Sequence, residues 1–310
     1  MLIAADAIRH LENRTVFVTG CGRSGTSILG ALLSTLDPVY YVFEPVVLRL
    51  LGPLLLRPEF QDQTDTLVRT LASVLFEDHI IPQILGRRVD ITENSMSATA
   101  ISEGTHKTLY RSKILKGRKN ALAWIAYEDP VFVIKLPEMQ PFARILLNSI
   151  PGSKLIHIYR DGRDVVASAV SRGWHTDEWY HNHAVEWVQH STGLTNRPYY
   201  VDVSPEEWTR MNPETRAACS WRCNMPKGEW RTRPEESMVV YRYEGLKRAP
   251  EDGVFDLTRT FNLRETEKTA QVLSSIKTFH QEDRPDPTPK IQEPELSRFQ
   301  AKLKDWEYVD

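Results

Sequence analysis

A chain of 310 residues that is 41% hydrophobic has apolar surface for a sizeable core, and a single unit spanning 1–310 is the simplest reading. Thirty-nine basic against forty-one acidic residues leave a formal charge of -2, which excludes a protein that grips a nucleic acid polymer through overall charge. Any phosphate binding must be local.

The first fourteen residues lack the apolar stretch and small-residue cleavage site of a signal peptide. The predicted elements then begin with a strand, TVFVTG (15–20), and continue with VYYVFE (39–44), VFVIK (131–135), KLIHIYR (154–160) and SMVVYRYE (237–244). Helical patterns fall at 26–36, 62–80, 138–149, 162–172, 177–192, 205–224 and 264–280. Mostly apolar strands separated by helix-length segments predict an α/β fold with a parallel sheet flanked by helices. The apolar window VVLRLLGPLLL (46–56) is too short for a membrane span and is interrupted by Arg49, Gly52 and Pro53. Residues 85–125 are too long for a simple crossover and read as an insertion; 87–119 holds eight Lys/Arg against three Asp/Glu, which suits either an anionic substrate or a solvated basic face. The proline-rich stretch 281–295 reads as a linker to a last short helix at 296–305. Cys21, Cys219 and Cys223 have neither disulfide nor zinc spacing, so reduced thiols and a cytoplasmic setting are expected, with no metal.

After the first strand the chain reads GCGRSGTS from Gly20, the pattern of a phosphate loop except that Thr26 stands where an ATP-hydrolysing loop has lysine. Glycines let successive N–H groups turn inward, and the following helix adds its positive end. Arg23 is the cation of this loop, and Ser24, Thr26 and Ser27 add hydroxyls. The bland alternative is a glycine turn that only joins strand to helix. Further on, YRDGRDVVAS passes from strand to helix at Asp161, a helix cap; Arg160 ends the strand and Ser168 follows eight residues later, a pair able to grip one more phosphate.

GRSGTS followed by YRDGRDVVAS resembles the paired phosphate motifs of sulfotransferases that use 3′-phosphoadenosine-5′-phosphosulfate (PAPS). The resemblance implies a sulfotransferase fold, with Gly22, Arg23, Ser24, Gly25, Thr26 and Ser27 at the 5′-phosphosulfate and Arg160 and Ser168 at the 3′-phosphate. It is nearest to the carbohydrate and tyrosylprotein branches, because Arg23 heads the loop where cytosolic small-molecule members have lysine. The RKGxxG segment of those cytosolic members is absent, which leaves the adenine contacts unassigned.

Sulfonate transfer to a hydroxyl acceptor needs a proton acceptor and a cation beside the reacting group. The histidine that cytosolic members carry after the third strand is missing from VIKLPEM. Glu44 is the expected base: it ends the second strand, Pro45 biases it toward an extended backbone, and it lies twenty-one residues after Arg23, the separation that the tyrosylprotein branch implies; the bland alternative is a glutamate that only ion-pairs or caps. Arg23 and Lys135 are the expected catalytic cations, Lys135 pairing with Glu138 being an equal alternative, and Glu138 is the second candidate base. The alternatives to a sulfotransferase are a P-loop kinase of a small metabolite and a nucleotide-binding module without a base. His175, His181 and His183 are spaced unlike a metal site, and Trp174, Trp179, Trp187, Trp208, Trp221 and Trp230 offer stacking surfaces among which the sequence does not choose. The acceptor (glycan, small alcohol, phenol or peptide tyrosine) has no legible code.

Overall fold

The computed structural model describes residues 2–85, 116–182, 197–226, 237–278 and 284–309. Helix α1 (Leu2–Leu11) leads into β1 (Thr15–Thr19), α2 (Thr26–Ser34) and β2 (Val39–Phe43). Helices α3 (Val46–Leu51) and α4 (Thr64–Val74) follow, α4 running on through a π-helical stretch Leu75–Ile80 and a last turn Ile81–Ile84. Then come α5 (Arg118–Glu128), β3 (Val131–Lys135), α6 (Gln140–Ser149), β4 (Lys154–Tyr159), α7 (Gly162–Val170) and α8 (Asp177–Asn182). The remainder comprises α9 (Pro205–Arg210), α10 (Pro213–Asn224), β5 (Met238–Arg242), α11 (Tyr243–Arg248), α12 (Pro250–Phe261), α13 (Glu267–Thr278) and α14 (Glu295–Asp305).

The strands pair in parallel in the order β2-β3-β1-β4-β5, so this is an α/β sheet covered by helices on both faces. Alternation along β1 sorts its side chains. Phe17 packs on one face with Phe132 of β3 and Phe142 of α6, while Val16 and Val18 pack on the other with Leu29 and Leu32 of α2 and Leu257 of α12. From β1 the chain crosses to β2 on one side, and after β3 it returns past β1 to β4. Connections leaving in opposite directions open a crevice at the carboxyl ends of the central strands.

The five expected strands are present; β3 spans its apolar run and the other four are slightly shorter than theirs. The single helix expected over 205–224 is two helices. Asn212 breaks it by accepting the Thr215 N–H as a cap, with Pro213 opening α10. Within 177–192, helix is seen at Asp177–Asn182 and 183–192 lies outside the described residues; so do most of the expected insertion (86–115), 279–280 of the last long helix, and 281–283 of the linker. Helices α1, α3, α5, α11 and α12 were not expected. Among the described residues no helix is long and apolar enough to cross a membrane.

Candidate active site

The loop between β1 and α2 lies at the mouth of this crevice. Two close approaches fix its glycines: a Cβ on Gly20 would lie 2.2 Å from the Ile158 carbonyl oxygen, and one on Gly25, at φ 99°, would lie 2.5 Å from the Tyr243 ring. Gly25 gives the turn into α2 its left-handed residue, and Thr26 and Ser27 begin the helix. Ser24 Oγ is buried and has no hydrogen-bond partner among the described residues. Arg23, at φ 71°, points out of the loop; its Nε donates to Ser168 Oγ at 3.1 Å and its guanidinium lies 5.5 Å over the Trp174 ring.

Ser168 lies on α7, capped by the Asp161 carboxylate, which accepts the Arg163 N–H at 2.9 Å. Arg160 immediately precedes the cap. It is 7% exposed, donates to Asp164 at 3.0 Å and to the Arg23 carbonyl at 3.3 Å, and lies over the Tyr243 ring. Trp221 of α10 steadies its backbone by donating Nε1–H to the Arg160 carbonyl at 2.9 Å. The first loop and the second motif therefore meet through side chains 145 residues apart. Burial, followed by the charges of Arg172, Arg160 and Arg284, lowers Arg23 to about 10. Such a concentration of guanidinium charge favours a bound anion.

Glu44 follows β2 and Lys135 ends the adjacent β3. The Glu44 N–H donates to the Lys135 carbonyl at 2.8 Å, and Lys135 Nζ donates to Glu44 Oε1. Arg49 of α3 approaches the other carboxylate oxygen at 3.8 Å. Two expectations are corrected here. Lys135 hydrogen-bonds Glu44, not Glu138, and Glu44 is not extended before Pro45 but turned into the left-handed region at φ 39°. The backbone bond to Lys135 accompanies that turn. Lys135 is itself lowered by burial, partly offset by Glu44. Glu138 also has a left-handed backbone, at φ 64°, with its N–H on the Gly20 carbonyl at 3.0 Å. Burial pushes its carboxyl up to about 7, the Gly22 N–H pulling in the opposite direction. Arg23, Glu44 and Glu138, with His175 at φ 66°, put four non-glycine residues in left-handed backbone around one crevice and concentrate strain there.

A cavity of about 240 Å³ opens among Cys21 and Gly22 of the loop, Glu44, Arg49, Glu138 and an aromatic wall that includes Trp174 and Trp179. Sequence reading singled out neither Arg49 nor the Arg172 and Arg284 field. Each is an ordinary surface-type residue locally and acquires its place through tertiary packing. Of the discounted groups, His175 is buried and held near 3 by burial and Arg216, its Nδ1 paired with Tyr180 Oη at 2.6 Å; Trp208 and Trp221 are core, and His183, Trp187 and Trp230 lie outside the described residues. Asp202, Cys219 and Cys223 converge within 4.8 Å, a grouping the cysteine spacing did not suggest, and Arg222 grips Asp202 with bonds of 2.6 and 2.7 Å.

A glycine loop that opens a helix at the carboxyl edge of a parallel sheet, beside an arginine and a serine from the neighbouring strand end and helix, makes a place suited to an anion. The chain belongs to the sulfotransferase family, which it matches over residues 15–267, and it is therefore a transferase of sulfonyl groups. Solved structures similar to it include the sulfotransferase domain of the Synechococcus PCC 7002 olefin synthase, 14% identical over 96% of each chain at a TM-score of 0.46. Another is the sulfotransferase domain from the curacin biosynthetic pathway, 15% identical over 95% of this chain and 97% of that one, TM-score 0.46. The sulfotransferase STF9 of Mycobacterium avium is 16% identical over 99% of this chain and 81% of that one, again at 0.46. No curated protein matches the chain.

Proposed function

We propose that the protein transfers a sulfonate group from PAPS to a hydroxyl acceptor, with Glu44 as general base and Arg23 and Lys135 as the cations at the reacting centre. The observation that carries this reading is the meeting of Glu44, held by Lys135, with Cys21 and Gly22 of the loop on one cavity, while Arg23 of the same loop contacts Ser168 and Arg160. The residues present fit the donor. The buried, unmatched Ser24 hydroxyl suits an anionic oxygen, and at Gly20 and Gly25 no side chain could fit without displacing Ile158 or Tyr243. When bound, PAPS supplies a sulfonate activated by its bridging bond to phosphate.

The protein's own groups then divide the work. Loop N–H groups and the start of α2 hold the 5′ end, and Arg160 with Ser168 holds the 3′-phosphate. Glu44 takes the acceptor proton, Lys135 aims it through their hydrogen bond, and Arg23 offsets charge on the leaving phosphate oxygen. No loop lysine is required, because the donor has no γ-phosphate for it to hold. The whole chain is read as one catalytic unit, with 85–125 on the acceptor side, and the three free cysteines suit a reducing, cytoplasmic setting.

Thermal shift tests the reading directly. 3′,5′-Diphosphoadenosine should raise Tm in the presence of a chelator and more than AMP or ATP does, the gain at a hundredfold excess over Kd being about 2.7 kcal/mol. Preference for ATP with a strict magnesium requirement would make the protein a kinase instead.

A further inference from the structure

The cavity beside the loop has a composition that selects its occupant. Trp174 and Trp179 lie nearly parallel, ring centroids 5.7 Å apart at 25°, and Phe142 and Tyr199 form a second pair at 6.2 Å and 37°. Aliphatic surface from Leu136, Val165 and Ala169 completes much of the wall. Most of the polar groups on that wall are already engaged. Tyr199 donates its hydroxyl to the Glu138 carbonyl at 2.5 Å, His175 is paired with Tyr180, and Glu44 is held by Lys135 and approached by Arg49. A polyol entering here would press several hydroxyls against hydrocarbon, and each one left unmatched costs roughly tenfold or more in affinity. A flat ring meets no such penalty and gains from stacking.

Size and proton chemistry narrow the class further. At about 240 Å³ the cavity is smaller than the roughly 300–1,000 Å³ of drug-sized sites, which suits one or two rings and not an oligosaccharide or a stretch of peptide. Cys21 and Gly22 of the loop and Glu44 line the same space, so a hydroxyl inside it faces both the donor loop and the base. A carboxylate base removes a proton far more readily from a phenol, whose ordinary pKa is about 10, than from an aliphatic alcohol.

We infer that the acceptor is a phenol of one or two rings, stacked on Trp179 and Trp174 with its hydroxyl toward Glu44. This rests on the sulfonate-transfer reading above. The phenolic oxygen forms the new O–S bond, the S–O bond bridging to the 5′-phosphate breaks with its electron pair retained by the phosphate oxygen, and the phenolic proton passes to Glu44.

The experiment uses the full chain, labelled PAPS, and matched acceptors: 4-methylphenol and 2-naphthol, their saturated ring alcohols, glucose, and a tyrosine peptide. Both phenols should exceed the saturated alcohols in kcat/KM by about a hundredfold or more. Trp179→Ala should raise KM for 2-naphthol about tenfold, Trp179→Phe should recover most of it, and the Tm gain with 3′,5′-diphosphoadenosine should not change. Without donor, 2-naphthol should quench tryptophan emission saturably in the native protein and much less in Trp179→Ala. Preference for glucose, a saturated alcohol or the peptide overturns the phenol assignment and leaves sulfonate transfer standing, as does transfer to phenols with a KM that Trp179→Ala does not move. Binding of 3′,5′-diphosphoadenosine with neither quenching nor phenol turnover overturns it as well. Failure of that nucleotide to shift Tm, with no labelled product from any acceptor, defeats the underlying reading and this inference with it.

Discussion

Glu44 reaches Lys135 because the two end neighbouring parallel strands in register, Phe43 opposite Lys135, and one left-handed residue then turns the carboxylate across. Glu44→Gln keeps the shape and loses the proton acceptor. Steady-state turnover should fall about 10²- to 10⁴-fold while the Tm gain with 3′,5′-diphosphoadenosine is retained. Glu138 gives a different signature. Its carboxyl holds its proton more tightly in the folded chain, about 7 against an ordinary 4.5, so its contribution to stability is complete below about 4.5 and is lost as pH rises through about 7. Glu138→Gln removes that dependence. Relative to the native protein the variant should gain on the order of 1–2 kcal/mol between pH 5 and pH 8, allowing for the partial exposure of the carboxyl, and chemical denaturation at both pH values measures it.

At the scale of elements, α7 is the proposed seat for the 3′-phosphate, with Arg160 before its cap and Ser168 two turns along. Arg160→Ala should weaken 3′,5′-diphosphoadenosine by about ten- to a hundredfold and AMP far less, as titration calorimetry would report, because AMP has no 3′-phosphate. Equal losses would remove the 3′ assignment. The strands and the helices that follow the two motifs were legible because each buried strand is a short apolar run and each helix start is marked, by Gly25 at α2 and Asp161 at α7. Helices α3 and α12 were not. The apolar run at 46–56 reads as a hydrophobic window until Gly52 and Pro53 turn it into a 3₁₀ stretch after α3, and α12 begins among the charged residues of PEDG. In the site, motif spacing brought the loop, Arg160, Ser168 and Glu44 to notice. Lys135's choice of Glu44 over Glu138, and the gathering of Trp174, Arg49 and Arg172, depend on where strands and helix ends meet in space, which local pattern does not encode.

Over the whole molecule, the C-terminal helix α14 is fastened to the site by one buried ion pair. Glu295, fully buried, accepts from Arg222 of α10 at 2.7 and 3.0 Å, Phe299 packs against Trp221, and Trp221 holds the Arg160 carbonyl. Glu295→Ala leaves Arg222 with Asp202 as its remaining carboxylate partner among the described residues. Breaking such a pair costs about 3–5 kcal/mol, and the surviving Asp202 contact places the expectation at the lower end, measurable by urea denaturation, with weaker nucleotide binding as its second reading. A last consequence follows from the contact between Arg23 and Ser168. Two seats that share one guanidinium compete for it, so a ligand lacking the 3′-phosphate must detach Arg23 from Ser168 without anything taking its place. On the proposed assignment, AMP is therefore handicapped before any contact with the nucleotide is counted. Ser168→Ala should give a crossed response, AMP bound as well or slightly better and 3′,5′-diphosphoadenosine bound worse. By reciprocity, whatever factor the 3′ occupant contributes to holding the 5′ end, the 5′ occupant returns to the 3′ end.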